Sequence, residues 1–92
     1  MKKLICIWLL SVWFLPLFAQ QLSTEKEAMQ YYNKAIELNP KDANTYVNRG
    51  NFKSDLGDSQ GAMQDFNKAI ELNPKNAGAY YNRGLLKYRL ED

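Results

Sequence analysis

The 92-residue sequence has no histidine, a single cysteine and only three prolines. Each scarcity closes off some chemistry. Without histidine there is no imidazole to act as a general base near neutral pH or to ligate a metal. One cysteine, Cys6, cannot make an intrachain disulfide, so any fold must be held by packing. There is no glycine-rich phosphate loop and no glycosylation sequon, and no stretch alternates as a strand. Ser54 and Ser59 lack a basic triad partner. The carboxylates Glu25, Glu27, Glu37, Asp55, Asp58, Asp65 and Glu71 are scattered, and are expected mainly on solvated helix faces or at caps. The expectation is a non-catalytic chain with no cofactor and no metal.

The first nineteen residues read as a segment apart. Lys2-Lys3 is a short basic start, Leu4 to Phe18 is almost wholly apolar, and Ala19 precedes the polar Gln20-Gln21. That is the layout of a secretory signal peptide, with Pro16 expected to break its helix before the cut. The alternative is an uncleaved anchor, which would tether the remainder to the inner membrane with Lys2 and Lys3 on the cytoplasmic side. Either reading exports residues 20–92, to the periplasm or beyond. Removing residues 1–19 takes away Lys2, Lys3 and Cys6, which leaves ten basic residues against ten acidic ones. The net charge of +2 thus belongs to the leader and gives no argument for nucleic-acid binding.

Beyond the leader the chain repeats itself. Ala28–Lys41 reads AMQYYNKAIELNPK and Ala62–Lys75 reads AMQDFNKAIELNPK, twelve of fourteen identical at an offset of thirty-four. Extended to 28–58 against 62–92, twenty of thirty-one positions agree, which makes repetition the organising feature of the fold. Each period holds two helices. Ala28, Tyr32, Ala35 and Ile36 fall on one helical face, and Thr24 with Glu27 reads as a capping box that starts a helix near residue 24. Asn39-Pro40 ends it. Asp42 caps a second helix over about 43–56, with Tyr46, Gly50 and Phe52 or Leu56 turned inward. Gly57 is the left-handed stop, and Asp58 caps a third helix over about 59–73. After Asn73-Pro74, a fourth runs from about Ala77 to Leu90.

These residues resemble the tetratricopeptide repeat. Tyr46 stands at its first-helix aromatic and Gly50 at its small residue, with Ala62, Phe66, Ala69 and Pro74 following in register. The resemblance implies an all-α solenoid of helical hairpins, about four antiparallel helices after the leader. In this frame, 1–19 is the signal peptide and 20–24 a short lead. A half unit covers 25–42, a full unit 43–76, and a second half unit 77–92. Arg49 and Arg83 occupy a usual leucine site, and Lys53 and Lys87 an aromatic one, with Phe52 or Leu86 beside them to compensate.

The resemblance further implies a protein-binding scaffold, in which first helices line a concave groove for an extended peptide or a partner helix. By register the groove presents Asn44, Val47, Asn48, Asn51 and Asp55, then Tyr81, Asn82, Leu85, Tyr88 and Arg89. Asn48 and Asn82 are candidates either to bond a peptide backbone or only to tie adjacent turns together. Some relatives grip a C-terminal carboxylate with Lys, Asn and Arg. Here Gly78 and Asn82 stand where bases are wanted, so that use is disfavoured. The half-unit shift of the frame leaves two readings open. The chain is a fragment of a longer repeat protein, or copies associate head to tail with 77–90 of one docked on 24–39 of the next, where Asp92 would cap the joining helix.

Overall fold

A computed structural model describes residues 2–91, with side chains described from Leu17 onward. Its helices are α1 (Lys2–Leu38), α2 (Ala43–Asp55), α3 (Ser59–Leu72) and α4 (Ala77–Glu91). No strand occurs among the described residues, and the all-α hairpin architecture is as the repeat implies. By contacts the chain divides into two compact units, 1–30 and 31–92.

In the first unit two sequence expectations fail. The α1 helix passes through Pro16, and it does not begin at Thr24. Pro removes one ladder bond, but it does not by itself end a helix, since helices can continue past a Pro. Thr24 is not a cap: with a helical turn already formed upstream, its hydroxyl donates back to the Gln20 carbonyl at 2.9 Å. Gln20, Gln21 and Leu22 carry no breaker, so nothing in that stretch stops the helix earlier. Most of the leader, Leu4–Phe18, lies among residues whose side chains are not described. Among the described residues no helix is long and apolar enough to cross a membrane.

In the second unit the turns repeat as closely as the helices. After α1, the Asn39 side chain accepts the Lys41 backbone N–H at 3.4 Å, and after α3, Asn73 accepts from Lys75 at 3.1 Å. These Asx-type bonds bracket Pro40 and Pro74, which cannot prolong a helix. Asp42 caps α2 by accepting from the Asn44 N–H at 3.0 Å, and Asp58 caps α3 by accepting from Gly61 at 2.8 Å. Asn76 caps α4 through the Ala79 N–H at 3.0 Å. Gly57 adopts φ 90°, the left-handed conformation that closes α2 without a Cβ penalty. Asp92, read as a further cap, lies outside the described residues.

The core joins α2, α3 and α4: Tyr46 and Val47, then Ala62, Phe66 and Ala69, then Ala79 and Leu86, with Ile36 from α1 packed against it. Gly50 decides how closely α2 and α3 meet. A Cβ there would stand 2.7 Å from Phe66 Cε1, so only glycine admits the phenyl ring. Phe66 is 1 % exposed, which places essentially all of its apolar surface out of water. Phe52 is half-buried against Tyr32, with ring centroids 5.7 Å apart, whereas Leu56 stays outside at 44 % exposure.

Candidate functional site

One face of α2 and one face of α4 form an open wall. Asn51, Ser54 and Asp55 stand at i, i+3 and i+4 on α2; Asn82, Leu85, Leu86 and Arg89 follow the same helical spacing on α4. Between them lies a pocket of about 270 Å³, lined also by Phe66 of α3. Its lining is mixed. Leu85, Leu86 and the phenyl ring supply apolar surface, the two asparagines supply amides, and Asp55 and Arg89 bring opposite charges.

Of the ten residues placed on the groove by register, five line this pocket: Asn51, Asp55, Asn82, Leu85 and Arg89. Asn44 lies outside it and accepts a hydrogen bond from Asn76 Nδ2 at 2.9 Å, which joins the start of α2 to the cap of α4. Val47 is 7 % exposed and belongs to the core cluster. Asn48 is exposed but does not line the pocket. Tyr81 and Tyr88 are 71 % and 67 % exposed, also outside it. Register alone did not name Ser54, Phe66 or Leu86. Ser54 and Leu86 were accessible to it, being three residues after Asn51 and four after Asn82. Phe66 was not, because it belongs to a different helix.

Between α2 and α4, Tyr46/Tyr80, Asn48/Asn82, Arg49/Arg83, Gly50/Gly84 and Lys53/Lys87 are identical. The pairs Asn51/Leu85, Phe52/Leu86, Ser54/Tyr88 and Asp55/Arg89 differ, so the pocket wall holds both repeated and changed positions.

Away from the pocket, one charged cluster corrects the sequence reading. Asp65 is 3 % exposed, not on a solvated face. Its carboxylate accepts from Arg49 Nε at 2.8 Å and Nη2 at 2.7 Å, and lies 3.3 Å from Lys53 Nζ. Arg49 Nη1 also donates to Asn33 at 3.0 Å, and its guanidinium lies 5.6 Å from the Tyr46 ring centre. The Asp65 hydrogen bonds raise the Arg49 pKa above its ordinary value, against the opposing pull of burial. Arg49 and Lys53 thus join Asp65 in an ion-pair network between α2 and α3.

Three matches to family models cover most of the chain: a TPR repeat over residues 53–91, and tetratricopeptide repeats over 31–64 and 17–42. No curated protein matches it. With a thirty-four-residue period, hairpins capped at Asp42, Asp58 and Asn76, and a Gly50–Phe66 close approach, the chain belongs to the tetratricopeptide repeat family.

Proposed function

We propose that this chain is a non-catalytic scaffold that receives a peptide or partner helix in the α2–α4 groove. Tetratricopeptide repeats are generally protein–protein interaction modules and typically carry no catalysis. The observation that carries the finer reading is the pocket itself, lined from α2 and α4. Its wall brings Asn51 and Asp55 of α2 together with Asn82, Leu85 and Arg89 of α4. Asn51 and Asn82 offer amides to a backbone, Leu85 and Phe66 apolar surface, and Asp55 and Arg89 opposite charges to select a ligand. A peptide selected on the full chain is expected to lose about tenfold or more in affinity to Asn82→Ala plus Leu85→Ala, as truncated interface centres do. Unchanged affinity in that variant, with its helicity intact, would remove the groove reading.

We also propose that the protein acts outside the cytosol. Lys2-Lys3 followed by the apolar Leu4–Phe18 supports export. N-terminal sequencing of the exported protein tests it: Gln20 first means a soluble product, Met1 means an anchored one, and recovery only in the cytosol contradicts export.

A further inference from the structure

The groove is not the only face of α4 that lacks a covering. In α2, three residues on one side hold α3: Gly50 seats the Phe66 ring, while Arg49 and Lys53 grip the Asp65 carboxylate. Gly84, Arg83 and Lys87 repeat this set on α4 at the thirty-four-residue offset. The surroundings are already copied as well. Arg83 Nη1 donates to Asn67 at 2.9 Å, as Arg49 does to Asn33, and its guanidinium lies 5.3 Å from the Tyr80 ring centre. The receptor half of the α2–α3 seam is therefore built a second time, with its arginine held in the same way.

The occupant is missing from the described residues. A Cβ on Gly84 would meet nothing within 4 Å, where one on Gly50 would strike Phe66. Tyr80 is 44 % exposed, against 9 % for Tyr46. Among the described residues no carboxylate lies within ion-pair distance of Arg83 or Lys87. We propose that the Arg83–Gly84–Lys87 face of α4 docks an amphipathic helix carrying a carboxylate directly followed by an aromatic residue. Its chemistry is that of α3: Asp65-Phe66, with the fully buried Ala62 and Ala69 on either side to allow close approach.

Charge complementarity distinguishes this occupant from a second copy of α1. In register, α1 offers Tyr31-Tyr32 where α3 has Asp65-Phe66. Tyr32 would fill the glycine seat, but Tyr31 brings no carboxylate to two cations. An acidic-aromatic helix satisfies both demands. The inference is independent of the groove, since none of these three α4 residues lines the pocket.

The test uses the full chain and three labelled peptides: residues 58–73, the same peptide with Asp65→Asn, and residues 24–39. Fluorescence anisotropy should show saturable binding of the first, with Asp65→Asn weakening it by about tenfold or more, as loss of one partner of a buried charge pair does. Gly84→Ala in the chain should abolish binding while leaving the fold intact, because the added methyl has open space in the free protein and blocks only the docked ring. Lys87→Ala should weaken binding without removing it, and Asn82→Ala plus Leu85→Ala should leave it unchanged. No binding of the 58–73 peptide, or binding indifferent to Gly84→Ala, would overturn the proposal. Equal or tighter binding of 24–39 would overturn it too and give the face to a second copy.

Discussion

At the scale of single residues, the Arg49–Asp65 pair is where this chain departs most from an apolar repeat. A carboxylate 3 % exposed must be matched, and here a bidentate guanidinium and an ammonium do so. Arg49→Ala would leave Asp65 with Lys53 alone, and is expected to cost about 3–5 kcal/mol in urea unfolding. Replacing the pair by packed apolar residues would cost far less, because no buried charge is then left without its partner. The two glycines make a second, opposed pair. Gly50→Ala forces a methyl against Phe66 and should destabilise, whereas Gly84→Ala should stabilise by about 0.5–1 kcal/mol through helix propensity. Thermal melts of the two variants, compared with wild type, check the opposite signs. None of this pairing was readable along the chain. Arg49 and Lys53 look like defects in sequence, since Asp65 lies on the next helix and looks like any other surface acid.

At the scale of elements, the caps and breaks carried the sequence reading. Asp42 and Asp58 act as N-caps where expected, Gly57 takes the left-handed turn, and Asn-Pro ends both α1 and α3. These signals are legible because each acts within three or four residues of itself. Asp58→Ala should therefore lower stability by about 1 kcal/mol, seen as an earlier melt with unchanged helical signal below the transition. Thr24 shows the limit of local reading. Its capping-box pattern was correct as a pattern, but the turn before it was already helical and took its hydroxyl back to Gln20. A cap needs a non-helical residue to sit on, and the sequence around Gln20–Ser23 contains nothing to provide one.

For the molecule as a whole, repetition explains both what was foreseen and what was not. A period of thirty-four fixed the family and the placement of helices, and half of the register-placed groove residues do line the α2–α4 pocket. Val47 went to the core, and Tyr81 and Tyr88 to open surface outside the pocket.

The central claim is that the α2–α4 pocket is the binding surface. Amide chemical-shift mapping on the full chain, titrated with a peptide selected on it from a random library, tests that claim most directly. The account predicts that the largest shifts cluster at Asn51, Ser54, Asp55, Asn82, Leu85 and Arg89. Shifts centred instead on α1, on the outer side of α3, or spread evenly over the chain would contradict it.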